Sequence, residues 1–431
     1  MLKLALIANQ TDSLEGFFDF FIENKNKIEK KAAQKFEITY IFNDSPENEV
    51  KAFLAARDVD LKVTDNYQQL VKNKEVDIII ELSRKFETAD YLLQALKNKK
   101  QVITSNHKVL AENYLLIKEA EKKFRTRVFF SAVFSPLPLK TLLNNFYSLD
   151  EVKEINGVLN ATTNFILSEM EKNTVSMKET VEQAKELSYT EENPEFDLSG
   201  RDSLNKSILL ADLIYNTALD PSQVQAKGIK GITSYDLIYA AELGYKIKLI
   251  STIKKQDEKI YFGVRPNLVP ENSFFSSLND NSNGIELFSN YNSRTFIKAE
   301  NNESAASNLF SQDLISAAEI ISSQNDINFD LEALRANKIN LDDLYQQQAN
   351  NFYVRLQLEK DKQIIEKIKD IFSEKNLADL ILHDNLTETP LLPVIIITKK
   401  IKEKDLEELL KEVENLEGVL TVNNVIAVKT E

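Results

Sequence analysis

Leu2–Lys31, LKLALIANQTDSLEGFFDFFIENKNKIEKK, joins a strand-length apolar run to a longer amphipathic one. Residues 2–8 form an apolar run of strand length, and residues 14–31 carry Phe17, Phe18 and Phe21 at helical spacing, which predicts a helix with a buried face. Strand-like runs return at 35–43, 76–82 and 101–105, with helical segments between them and after residue 87. Strands that alternate with helices predict a parallel, doubly wound sheet. In such a sheet the turn after the first strand is the place for a G-x-G-x-x-G phosphate loop. Here it reads Ala8-Asn9-Gln10-Thr11-Asp12-Ser13, with no glycine and with a carboxylate at Asp12. These residues imply a Rossmann-like scaffold but do not by themselves support dinucleotide binding.

Composition narrows the function classes. The chain has 431 residues, room for two or three domains, and its 43% hydrophobic content is that of globular material. With 53 basic against 67 acidic residues the net charge is −14, which argues against nucleic acid or an anionic membrane as partner. No cysteine and only two histidines, His107 and His383, leave little for a metal, so none is expected. There is no apolar run of membrane-spanning length and no leader-like start, which predicts a cytoplasmic protein. Glycine is scarce, nine in all, so the loops that need it stand out.

The middle of the chain, about 131–304, mixes strands at 152–158 and 259–264 with helices at 176–187, 203–217 and 234–243. That fits an α+β domain whose sheet can pair across a two-fold axis. Residues 305–345 read as helical, returning to the first domain, and the polar runs near 279–283 and 300–307 read as loops. From 350 to 431 the order is strand 352–358, helix 362–373, strands 379–383 and 392–398, helix 404–413 and strand 419–428, a βαββαβ pattern. The polar stretch 187–206, LSYTEENPEFDLSGRDSLNK, stands apart. Ser199 with Asp202 reads as a capping box for a helix starting near Gly200, which sets Asp202 and Lys206 on one face. Carboxylates beside a lysine there can hold a small zwitterion. On spacing alone, a solvated helix start with one ion pair is the better reading.

Gly157-Val158-Leu159-Asn160-Ala161-Thr162-Thr163-Asn164-Phe165-Ile166-Leu167 resembles the G-x-L-N-G-T-T-N-Y-I-L segment of homoserine dehydrogenases. Tyr189-Thr190-Glu191, Asp197-x-x-Gly200-x-Asp202-x-x-x-Lys206 and Gly228-Ile229-x-Gly231-Ile232-Thr233 resemble further segments of that family, as do the stretches at 77–82 and 102–107. The end of the chain looks like the ACT module of its longer bacterial members. The resemblance implies a Rossmann-like nucleotide-binding domain at 1–130, a catalytic and dimerisation domain at 131–304 and an ACT-like domain at 350–431. It implies reduction of aspartate semialdehyde to homoserine with NADPH or NADH, in threonine and methionine biosynthesis. Carried over by position, Lys206 and His107 are catalytic. Tyr189, Glu191, Asp197, Asp202 and Thr162 meet the amino-acid substrate, and Ala8, Asn9, Thr11 and Ser105 meet the NADP or NAD. A homodimer or tetramer is implied as well.

The departures from the family pattern gather on the cofactor side. Glycine-rich segments are replaced by Ala8–Ser13, by Phe134-Ser135-Pro136-Leu137-Pro138 and by Arg84-Lys85, His107 stands where a second lysine belongs, and Phe130 replaces a sodium-holding carboxylate. This leaves two expectations: a working dehydrogenase with altered nicotinamide binding, or a non-catalytic relative that serves an active paralogue as regulatory or assembly subunit.

Overall fold

The computed structural model describes the chain apart from residues 9–10, 44–47, 83–87, 188, 191–192, 258, 324–330, 337–339, 384–390 and 430–431. The described elements gather into two compact units. The first comprises Met1–Asp150, Ile208–Pro221 and Glu300–Lys338, so it runs past the expected limit at 130; the second comprises Glu151–Ser207, Ser222–Ala299 and Ile339–Glu431.

In the first unit the chain runs β1 (Leu2–Ile7), α1 (Thr11–Ala32), β2 (Phe36–Phe42), α2 (Asn48–Ala56), β3 (Lys62–Thr64), α3 (Tyr67–Lys72), β4 (Ile78–Glu81), α4 (Ala89–Lys97), β5 (Gln101–Thr104), α5 (His107–Glu112), α6 (Tyr114–Phe124), β6 (Val128–Phe129) and α7 (Leu139–Phe146). The strands form one parallel sheet in the order β3-β2-β1-β4-β5-β6. This is the doubly wound order expected from the first stretch, and its winding reverses between β1 and β4, the point where such sheets receive ligands. The core shows why the opening helix forms. Phe17, Phe18 and Phe21 of α1 pack with Leu4 and Leu6 of β1 and Ile80 of β4. Phe17 lies 6.0 Å from Phe21 and meets Phe310 edge-on at 5.9 Å. Burying each such ring contributes about 1.5–3 kcal/mol.

The second unit begins with β7 (Val152–Val158), α8 (Ala161–Asn173), α9 (Met177–Glu186), α10 (Glu195–Leu198) and α11 (Arg201–Tyr215), the last ending among first-unit residues. It continues with α12 (Ser234–Glu242), β8 (Tyr245–Gln256), β9 (Lys259–Pro270), β10 (Ser282–Ser289) and β11 (Ser293–Glu300). Two helices of the first unit follow, α13 (Glu303–Ser323) and α14 (Leu331–Ala336). Leu309, Phe310 and Leu314 of α13 join the core under α1. The run 300–307 is therefore mostly the start of a helix and not a loop, and the loop expected at 279–283 ends early because Ser282 opens β10.

The chain closes with β12 (Asn340–Asp343), α15 (Leu344–Gln347), β13 (Asn351–Glu359), α16 (Lys362–Asn376), β14 (Leu377–Leu382), β15 (Leu391–Thr398), α17 (Glu403–Glu414) and β16 (Val419–Val428). The βαββαβ segment has its own apolar centre, in which Phe352, Leu356, Ile368, Phe372, Ile396 and Leu406 meet. It does not stand apart from the sheet before it. Strand order is β11-β10-β7-β8-β9-β16-β13-β15-β14, with β16 parallel to β9 at Ala427↔Asn267 and Val428↔Leu268. A buried ion pair reinforces this seam. Arg355 Nε donates to Asp236 Oδ1 at 2.7 Å, and Asn424 donates to Asp236 Oδ2 at 3.1 Å and to the Gly231 carbonyl at 2.9 Å.

Candidate active site

The site lies in the second unit, where three segments distant in sequence converge. Asn160 is the N-cap of α8, its side-chain oxygen accepting from the Thr163 amide at 2.7 Å. Its amide nitrogen donates to Asp197 Oδ1 at 2.6 Å and to Asp202 Oδ2 at 2.9 Å. Lys206 Nζ stands 2.8 Å from the same Asp202 oxygen and donates to the Leu159 carbonyl at 3.2 Å. Asp202 is 2% and Lys206 8% exposed. Among the described residues Lys206 has one hydrogen-bond acceptor, the Leu159 carbonyl, and one ion-pair partner, Asp202, so its three N–H groups leave at least one for an incoming oxygen. Among the described residues, two carboxylates around one ammonium carry one negative charge in excess, suited to a second, substrate-borne ammonium.

Local backbone explains how the cluster is held. Gly200 turns the chain from α10 into α11 at φ +80°. Ser199 caps the carboxyl end of α10 and donates its hydroxyl to the Phe196 carbonyl at 3.2 Å, so the capping box expected at Ser199–Asp202 does not form. Asp202 turns instead to Asn160 and Lys206. Gly228 lies against α10: a Cβ there would meet the Leu198 carbonyl oxygen at 1.9 Å, and Ile229 donates its amide to that oxygen at 2.9 Å. Close by on α8, Thr162 donates its hydroxyl to the Tyr189 carbonyl at 2.7 Å, and the Tyr189 ring lies 4.6 Å from Phe165. Five residues singled out from sequence, Thr162, Tyr189, Asp197, Asp202 and Lys206, thus share one neighbourhood. Glu191 lies outside the described residues. Sequence reasoning assigns no role to Asn160 within its motif, although its place just ahead of an apolar helix is an N-cap signal that points to it.

The cofactor-side residues lie in the first unit. Helix α1, 22 residues long, starts three residues after β1, beside the β1/β4 reversal. A helix opening at that crevice is the arrangement that accepts a pyrophosphate, so the topology fits a dinucleotide. Ala8 follows β1 directly. Its side chain is fully buried in the core and its amide donates to the Phe42 carbonyl at 3.2 Å, leaving no N–H for a phosphate. Asn9, Arg84, Lys85 and the Thr11 side chain lie outside the described residues. Ser105 and His107 follow β5; both are buried, and His107 opens α5 behind the Asn106 cap. Phe134 and Leu137, which stand where the family has glycines, are buried in the unit rather than projecting from it. At the end of β4, Glu81 is fully buried, accepting from the Thr104 hydroxyl and from Asn106 at 3.5 Å.

Similar proteins are known along most of the chain. Residues 138–315 match a family model described as homoserine dehydrogenase, and residues 24–131 match one described as homoserine dehydrogenase, NAD binding domain. The second match starts downstream of the β1–α1 turn. The homoserine dehydrogenase of Bacillus subtilis is 27% identical over 394 residues, 88% of this chain and 89% of that protein. That of Helicobacter pylori is 28% identical over 371 residues, 85% of this chain and 86% of its own. A crystal structure of a homoserine dehydrogenase from Thiobacillus denitrificans superposes with a TM-score of 0.86 at 22% identity, covering 99% of this chain and 98% of that one, which shows a common fold.

Proposed function

Because the chain belongs to the homoserine dehydrogenase family, we propose that it is the working oxidoreductase, interconverting aspartate semialdehyde and homoserine with NADPH or NADH. The observation that supports this is the buried Asn160–Asp197–Asp202–Lys206 cluster, which presents one proton donor and surplus negative charge to a small amino acid. The relatives it matches are described as homoserine dehydrogenases, which favours the enzyme over a non-catalytic subunit.

When bound, the nicotinamide supplies the hydride for carbonyl reduction. The chain's own residues do the rest. Lys206 donates the proton to the nascent alkoxide oxygen and takes it back in the reverse direction. Asp202 holds the Lys206 ammonium in line. Asp197, with Glu191, binds and orients the substrate ammonium, while Thr162 and Tyr189 wall the pocket. Thr11, opening α1, and Ser105, after β5, meet the nucleotide. In this reading His107 is a second donor, Asn351 onward is an ACT-like regulatory module, and the protein works in the cytoplasm as a homo-oligomer in threonine and methionine biosynthesis. The test is oxidation of L-homoserine at alkaline pH with NADP or NAD, followed by absorbance of the reduced nucleotide. Turnover should fall at least about 100-fold in Lys206→Met, the scale of a lost proton donor. Full activity in that variant, or none in the unaltered protein with either nucleotide, overturns the assignment.

A further inference from the structure

We propose that Asn160 is the positioning residue of the catalytic cluster, acting through Asp202 on Lys206 and through Asp197 on the bound amino acid. The inference rests on the function assigned above and goes beyond it, since nothing in that assignment requires Asn160. Three of its bonds run to three different segments. The carbonyl oxygen fixes the start of α8 through Thr163, one N–H reaches Asp197 on α10, and the other reaches Asp202 in the first turn of α11. Bringing two carboxylates within reach of one amide nitrogen opposes their mutual repulsion, because the donor's hydrogens lie between them. Asn160 is itself 3% exposed, so water does not readily replace that donor. Its neighbour Leu159 contributes the carbonyl that accepts from Lys206, so the same backbone turn places both partners of the lysine.

An asparagine suits this task where its near relatives do not. Aspartate would bring a third carboxylate into the cluster. Serine caps a helix well, yet offers a single, shorter donor that cannot serve both carboxylates. Asn160→Ser therefore separates the two roles of the residue, retaining the cap and removing the fork.

The experiment compares the full-length protein with Asn160→Ser and Asn160→Asp. For Asn160→Ser the expected results are a melting temperature close to that of the unaltered protein, a KM for L-homoserine raised about tenfold or more, a lowered kcat and an unchanged KM for the nucleotide. A purely structural role would lower the active fraction and the melting temperature and leave the homoserine KM where it was; that result overturns the proposal. Asn160→Asp should be the worse variant in kcat/KM, and parity with the unaltered protein would equally overturn it. Crystal structures decide independently of turnover. If the unaltered protein oxidises no homoserine, the assignment of function fails, whereas the positioning role is then read from the structure alone and fails if Asp202 and Lys206 keep their places in Asn160→Ser.

Discussion

Asp212 makes stability depend on pH in a way that can be worked from the structure. It lies on α11 within the first unit and is 1% exposed. Its Oδ1 accepts from the Thr217 hydroxyl at 2.8 Å and from the Leu219 amide at 2.9 Å, while Oδ2 has no hydrogen-bond partner among the described residues. Burial pushes the carboxyl up to about 8 from an ordinary 3.8, against those two hydrogen bonds and the charge of Lys118, which pull it down. A carboxyl whose folded value is raised contributes stability that is fully present below pH about 4 and is lost as pH climbs through about 8. The gap of about four units, at about 1.4 kcal/mol each, comes to about 6 kcal/mol. The substitution Asp212→Asn keeps an acceptor for Thr217 and Leu219 but places an amide nitrogen where Oδ2 was, at a cost of about 1–3 kcal/mol if that nitrogen finds no acceptor. The variant should thus be slightly less stable than the unaltered protein near pH 5 and clearly more stable near pH 8.5. Urea unfolding followed by circular dichroism at both values measures the difference. A gap between the two proteins that stays constant with pH would show that the Asp212 carboxyl is not raised by burial.

Other outcomes follow from close packing and buried charge. Gly228→Ala should displace the Leu198 carbonyl and destabilise the protein by about 3 kcal/mol or more by thermal or urea unfolding. Gly231→Ala, whose Cβ would come no nearer than 4.0 Å to Asn424, is the benign control. Arg355→Met strands the fully buried Asp236 carboxylate and should cost about 3–5 kcal/mol, with Asp236→Asn in the same chain recovering part of it; additive losses in the double-mutant cycle would show that the two are not coupled.

The legible parts of the molecule are those whose signal is local. The apolar run of β1, the Phe17–Phe21 face and the four-residue spacing of Asp202 and Lys206 each follow from strand or helix periodicity, and the structure realises all three. β3 and β6, three and two residues long, carry too few side chains for a periodic signal. β8 misleads because its lysines alternate like a solvated face. Lys248 is in fact buried, donating to Asn164 at 2.9 Å and to the Leu278 carbonyl at 2.5 Å, and burial pulls its ammonium down to about 8. Asn164 is 84 residues away, so no window along the sequence contains the explanation. The same holds for Asn160 and Asp202; α11 does start beside Gly200, at Arg201, but the serine that looks like its amino-terminal cap closes the helix before it.

The joint between β16 and β9 also decides how the protein tolerates being shortened. A chain stopped ahead of Asn351 would lose more than its last βαββαβ segment. It would bare the backbone groups of β9 around Asn267 and Leu268, a raw sheet margin open to pairing with any strand in solution, and would strip Asp236 of Arg355 and Asn424. Clumping, rather than release from control, is the fate such a fragment invites.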